Sequence, residues 1–249
     1  MQHEQGLIAI LDALGAATYS EEKIGQFLKS RELVLKLLRR KVKAIGIDVN
    51  QVTTFTFNDT VLIVYRTQGT CSLKEVKAFG ELLRRFAVNS LEHGILFRGA
   101  IAIGRFYMNE ETNTVMGEAV SDAAAWYNLA DWMGIAATPH ATLYIQSLAE
   151  QKAENIGRLM IDYPVPLKNR ASVTLKAVNW PKAFFVKGIS PCAKGEKRRA
   201  KCLTLLVGHG VPLNTEAKYF HTIAFFDHCA AEYGKERRMK KGTQPSDLR

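Results

Sequence analysis

Leu7 to Leu11 (LIAIL) form an unbroken apolar run of strand length that stops at Asp12 and is followed by Gly15. Continuous apolarity marks a strand buried on both faces, so the chain must fold around a sheet covered on both sides. The segments that follow supply that sheet and its cover. From Glu21 to about Ala44, Ile24, Phe27, Leu28, Leu35, Leu38 and Val42 recur at helical spacing. Val52–Phe57 and Val61–Tyr65 are β-branched and aromatic runs around Asn58-Asp59-Thr60, the pattern of a hairpin. Leu73–Leu91 is again helical, with Val76, Phe79, Leu83 and Phe86 on one face. Ile95–Ile103 returns to strand, punctuated by Gly99 and Gly104.

The order β-α-β-β-α-β, with right-handed crossovers, predicts an α+β fold with a ferredoxin-like, palm-type sheet and the first strand central. Asp12 then ends the first strand and Asp59 occupies the neighbouring hairpin. The two are 47 positions apart in sequence and are expected side by side. Further along, Gly117 to about Trp132 is expected to be a helix, Arg158–Pro166 and Ser172–Val178 strands, and Thr215–Tyr233 a closing helix. Pro181, Pro191 and Gly195 mark an irregular stretch between them. The expected organisation is a core over 1–133 and an extension over 134–249 packed on the same domain.

No stretch approaches 18 consecutive apolar residues, and the N-terminus lacks a basic region and a small-residue cleavage site. Cys71, Cys192, Cys202 and Cys229 are scattered without a CxxC pair, which suits reduced thiols and a cytoplasmic location. The spacings of Cys202, His209, His221, His228 and Cys229 match no standard zinc pattern. A formal net charge of +10 suggests an anionic partner, and two runs, 194–201 and 235–241, hold much of it. No aromatics interleave with these runs as a nucleic-acid stacking platform needs, so they are read as solvated loops or tails.

Two carboxylates converging at the end of a buried strand repel each other, and a divalent cation removes the conflict. Oxygen ligands favour Mg²⁺ or Mn²⁺, and two such ions can serve phosphoryl transfer. Asp12-Ala13-Leu14-Gly15-Ala16-Ala17-Thr18 adds small residues between strand and helix, where backbone N–H groups can approach a phosphate. Asp12 alone also suits a helix cap, and Asp59 alone an Asx turn. Together, in this topology, they favour a metal pair.

Leu11-Asp12-Ala13-Leu14-Gly15, Phe57-Asn58-Asp59, Arg98-Gly99-Ala100-Ile101-Ala102-Ile103-Gly104 and Gly117-Glu118-Ala119-Val120 resemble class III nucleotidyl cyclases over roughly residues 6–133. The resemblance implies two metal ions held by Asp12, Asp59 and the Ala13 carbonyl. It places the triphosphate in the loop of Leu14, Gly15, Ala16 and Thr18. It also implies a head-to-tail homodimer with composite sites, base-reading residues such as Thr114 coming from the partner.

Three departures refine the expectation. Purine cyclases usually carry a lysine or glutamate four residues before the second aspartate. Here Phe55 stands there, a ring that narrows a pocket and stacks but cannot bond a base edge. The second base-reading position is Thr114, which both donates and accepts. The chain is thereby similar to the pyrimidine cyclases of bacterial Pycsar anti-phage defence. That implies conversion of UTP to 3′,5′-cyclic UMP for a separate effector protein. CTP, a purine substrate, or a catalytically silent nucleotide-binding dimer are the alternatives. The family's transition-state asparagine and arginine are replaced by Ser121 and Ala125. Arg98 is the candidate replacement cation, with Lys176 and Lys187 behind it.

Overall fold

The computed structural model describes residues 3–16, 19–208 and 210–242, with the side chains of 240–242 excepted. Thr18 and His209, named above, lie outside the described residues.

The first strand is longer than the apolar run. β1 spans His3–Ala13, so Asp12 sits one residue inside its end rather than closing it. Helix α1, Glu21–Ala44, begins where Ser20 accepts the Lys23 N–H, and Glu21 and Glu22 in its first turn favour the helix dipole. β2 (Val52–Phe57) and β3 (Thr60–Thr67) join through a two-residue loop, Asn58-Asp59, in which Asn58 adopts a left-handed φ of 49°. Asparagine tolerates that conformation better than most residues. α2, Leu73–Glu92, opens with a capping box between Ser72 and Glu75. β4 spans Phe97–Asn109, β5 Thr114–Met116 and α3 Glu118–Trp126. The helix expected over Gly117–Trp132 therefore stops six residues early.

Among the described residues the sheet has eight strands, in the order β2-β3-β1-β4 followed by three strands of the second half, with β5 pairing the far end of β4. β1 lies between β3 and β4, antiparallel to both. The second half contributes β6 (Ile135–Ala137), β8 (Ser172–Val178) and β7 (Met160–Pro166) in that spatial order. β6 runs parallel to β4, which makes the sheet mixed. Gly99 is required where β4 meets β1, because a Cβ there would lie 2.5 Å from the Ile10 carbonyl oxygen.

The two faces of β1 are covered differently. Leu7, Ala9, Leu11 and Ala13 face a core built with α1, α2 and α4 (Pro139–Gln151). Ile8 and Ile10 face a smaller cluster with Phe55, Val64, Ala102 and Phe106, roofed by Ala119 and Ala123 of α3. A third cluster belongs to the second half, where Trp132, Tyr163, Trp180, Phe184, Phe225 and Phe226 pack together. It is closed by α5 (Arg198–Val207) and α6 (Glu216–Gly242). The stretch read as irregular holds a short 3-10 segment, Trp180–Phe185. The first basic run is half helix, because α5 begins at Arg198 within it and buries Cys202 and Leu206 just beyond. No helix among the described residues is long and apolar enough to cross a membrane.

Candidate active site

Strand register alone brings the two acidic residues together. Asp12 pairs across β1–β3 with Thr60, the residue after Asp59. The Ala13 N–H donates to the Asp59 carbonyl at 3.2 Å. Behind the turn, the Arg31 guanidinium donates to the Asn58 carbonyl and ties the hairpin tip to α1. Tyr19, just after the loop, places its hydroxyl near the same tip. Its pKa is raised first by burial and then by the Asp59 charge.

On the other side Asp12 pairs with Arg98 of β4. The guanidinium donates through Nε at 3.0 Å and Nη2 at 2.9 Å, both to Asp12 Oδ2. Both contacts fall on one carboxylate oxygen, and among the described residues Oδ1 makes no such bond, so it can serve another ligand. Arg98 is thus engaged by Asp12, a position from which its remaining N–H groups can still reach a phosphate.

Two further cations come from the second half of the chain. Lys168 lies in the turn between β7 and β8, with its Nζ 2.5 Å from Asn128 Oδ1. Its proton affinity is lowered first by burial, then by Arg98 and by Lys218. Asp131 and Asp12 act on it in the opposite direction, too weakly to compensate. Lys218, in the first turns of α6, pairs with Asp131 at 3.0 Å. Hydrogen bonds tie these segments together. Asp131 N–H donates to Pro166 O at 2.8 Å, Lys168 N–H to Leu129 O at 3.0 Å, and the His221 ring contacts Asp131 O at 2.6 Å. Arg98, Lys168 and Lys218 therefore gather at one end of the sheet around Asp12 and Asp131, next to the hairpin turn that holds Asp59. Neither lysine follows from sequence, where Lys168 is only a polar turn residue and Lys218 one charge near a helix start.

The other expected residues are dispersed. Ala13 packs into the α1–α2 core. The Leu14 N–H is already spent on Leu96 O at 2.8 Å, so it offers no donor to a phosphate. Gly15 turns with φ of 81°, and Ala16 accepts the Tyr19 N–H. Phe55 shares the Asp12 face of the sheet but is 9% exposed within the cluster under α3. Thr114 pairs with Asn109 at the far end of β4, eleven residues from Arg98, or about 36 Å along the strand. Within one chain it is out of reach of Asp12. Ser121 and Ala125 lie one turn apart on the exposed side of α3. Lys176 is tied to Asp162 at 2.8 Å. Lys187 follows the 3-10 segment on another surface. Neither joins the Asp12 cluster.

Metal fit can be judged from the donors. Asp12 Oδ1 and the Asp59 carboxylate are hard oxygen ligands at adjacent strand ends. Among the described residues no group of three or more His, Cys, Asp or Glu is arranged to hold a metal. Mg²⁺ commonly takes one or two carboxylates and completes its shell with substrate phosphates, so two acids suit it.

No family model and no curated protein sequence matches the chain. Among solved structures it is similar to the catalytic core of a rhodopsin-guanylyl cyclase with converted specificity, in complex with ATPαS. That likeness has a TM-score of 0.45 and 12% identity, over 71% of this chain and 96% of that one. A dimeric guanylyl cyclase domain of the RhoGC fusion protein from the aquatic fungus Blastocladiella emersonii gives 0.45 and 13%, over 71% and 95%. The guanylyl cyclase Cya2 gives 0.46 and 12%, over 72% and 93%.

Proposed function

We propose that the chain is a metal-dependent nucleotidyl cyclase, acting on a pyrimidine triphosphate with UTP favoured. One observation carries the proposal: strand register sets Asp12 beside the Asp59 turn, and three cations gather on the Asp12 side. Charge supports two ions rather than one. The three cations offset Asp12, Asp59 and Asp131, leaving a bound triphosphate of about four negative charges to be balanced by two divalent cations. Mg²⁺ or Mn²⁺ held by Asp12 and Asp59 would lower the pKa of the ribose 3′-hydroxyl and neutralise the phosphates.

The chain's own groups position the reactants. Arg98, Lys168 and Lys218 draw the β- and γ-phosphates toward the start of β4, which leaves the α-phosphorus nearer the carboxylates. The 3′-oxygen forms a bond to that phosphorus, the bond to pyrophosphate breaks, and the hydroxyl proton passes to solvent. The product is 3′,5′-cyclic UMP. Thr114 lies too far from Asp12 to read a base in its own chain, which favours a homodimer with composite sites. Residues 1–133 form the catalytic core in this account. Residues 134–249 form an extension on the same domain that lends it Lys168 and Lys218. By resemblance, the product would activate a separate anti-phage effector.

Incubation with the four ribonucleoside triphosphates and Mn²⁺ tests the proposal directly. UTP should yield a cyclic monophosphate and pyrophosphate. Asp59→Asn should lower the rate by about a thousandfold or more while the protein stays folded and dimeric. Full activity in Asp59→Asn removes that residue from the chemistry. Product from GTP or ATP alone replaces the pyrimidine assignment with a purine one.

A further inference from the structure

The two basic runs, 194–201 and 235–241, are far apart in sequence, yet aromatic contacts bring them to one surface. Phe185 and Tyr233 pack with ring centroids 4.8 Å apart. The Arg198 guanidinium lies 5.1 Å from the centroid of Phe185, and that of Arg237 lies 6.0 Å from Tyr233. Beneath them the nearly buried Lys182 binds Glu236 at 2.7 Å and faces the Tyr233 ring at 4.5 Å. This staple fixes the C-terminal half of α6 against the segment before α5. Beside it opens a cavity of about 520 Å³ lined by Phe185, Lys187, Lys194, Lys197 and Arg198, among others.

The charge here is concentrated by folding. Residues 182–201 hold seven lysines and arginines against the single acid Glu196. Glu196 is used by Lys201 at 3.8 Å and by the Ala193 N–H at 2.9 Å. Lys187, Lys194 and Lys197 form no ion pair among the described residues. Like charges held together without a counter-charge cost free energy that a polyanion recovers. The surface is also separate from the acidic pair, since α6 rises about 28 Å between Lys218 and Arg237.

We infer that this surface binds the phosphate backbone of nucleic acid, without reading sequence, as a function additional to cyclisation. A phosphate polyanion fits better than a membrane, because a membrane-binding face needs apolar side chains beside its cations. Among the described residues, Met239 is the large exposed apolar residue near the staple. Val207 and Phe220, the other prominent ones on α5 and α6, lie toward the opposite ends of those helices.

Fluorescence anisotropy with labelled single-stranded and duplex oligonucleotides of about 20 nucleotides, from about 50 to 200 mM salt, provides the test. The triple variant Lys187→Glu, Lys194→Glu, Lys197→Glu should weaken binding at least about tenfold and flatten the salt dependence. A second triple, Arg39→Glu, Arg40→Glu, Lys43→Glu on exposed positions of α1, changes net charge equally. It should stay within about threefold of wild type. If the first triple unfolds, the pair Lys194→Glu, Lys197→Glu, both exposed, takes its place. Equal losses in the two sets would mean diffuse attraction and overturn the inference. So would absence of wild-type binding at low salt, or tighter binding to phosphatidylserine vesicles than to either oligonucleotide. Cyclase activity is not read in this assay, so its outcome is independent of the catalytic proposal.

Discussion

The chain gathers positive charge in two places and treats it in opposite ways. At the end of β1, Arg98 and Lys218 are each bound to a carboxylate, and Lys168 to an amide. The Asp12–Arg98 pair is about seven-eighths buried on each side. On the Phe185–Tyr233 surface, Lys187, Lys194 and Lys197 are exposed, with no such partner among the described residues. The contrast teaches that net charge says little until burial is known. Charges withdrawn from water must be paired and so become rigid, which suits the positioning of a reacting phosphate. Charges left in water stay adaptable, which suits a partner of variable shape.

The largest effect expected comes from breaking the paired region. Asp12→Asn leaves the Arg98 guanidinium mostly buried against a neutral amide. Removing one member of a fully buried pair costs about 3–5 kcal/mol, and partial exposure reduces this to about 1–3 kcal/mol. Urea unfolding should register that loss, together with loss of cyclic product beyond about a thousandfold. A variant with unchanged stability would mean that Asp12 and Arg98 do not hold one another in solution.

A smaller effect separates the cations within the cluster. Lys168→Ala removes the one with no carboxylate of its own, so Km for the triphosphate should rise about tenfold, with less change in kcat. Stability should move the other way. The folded-state pKa of Lys168 lies below its unfolded value, so its protonated form is disfavoured by folding. That penalty is fully present at neutral pH and fades as pH climbs through the lowered folded value toward the ordinary lysine range. Lys168→Ala should therefore be slightly more heat-stable than wild type near about pH 8, and the gap should narrow as pH approaches the ordinary lysine range of about 10.5 and vanish above it. Pyrophosphate should stabilise wild type more than the variant. A gap that widens with pH would contradict the crowding of the three cations.

The same contrast explains what was legible beforehand. α1 occupies Glu21–Ala44 as expected because Ser20, its acidic first turn and its apolar stripe all agree. The Asp12–Asp59 juxtaposition followed from element order, since a hairpin next to a central strand has few places to go. β6 was invisible because three residues, Ile135–Ala137, carry no period. α4 beyond it went unread as well, although Thr138 caps it and Pro139 opens it. α5 was hidden by its own arginines and lysines, whose charge masked the spacing of Cys202 and Leu206. Lys168 and Lys218 depend on where β7, β8 and α6 dock, and that docking is set by the Trp132–Tyr163–Phe225 contacts rather than by any local pattern. The aromatic staple between the basic runs was missed for a similar reason: Phe185 lies nine residues before the first run.

The smallest effect uses the cysteines to sample both regions at once. Burial pushes the Cys71 and Cys202 thiols up to about 12, and Cys229 higher still. At about pH 8 only about one in ten thousand of a thiol with a pKa near 12 is ionised, and the thiolate is the form that attacks an alkylating agent. Cys192 is half-buried in the segment that lines the basic cavity, where solvent reaches it. Iodoacetate at about pH 8 should therefore label the native protein once, at Cys192, and four times after denaturation, as peptide mass mapping would show. The added carboxylate places one negative charge beside Lys194, so nucleic-acid affinity should fall about two- to threefold. Cyclic-nucleotide output should not change, because Cys192 packs against the aromatic cluster of the second half rather than against β1. Labelling of Cys202 first would mean that α5 does not hold its buried face in solution. A matching loss of cyclase output would mean that the two cationic regions are coupled rather than separate.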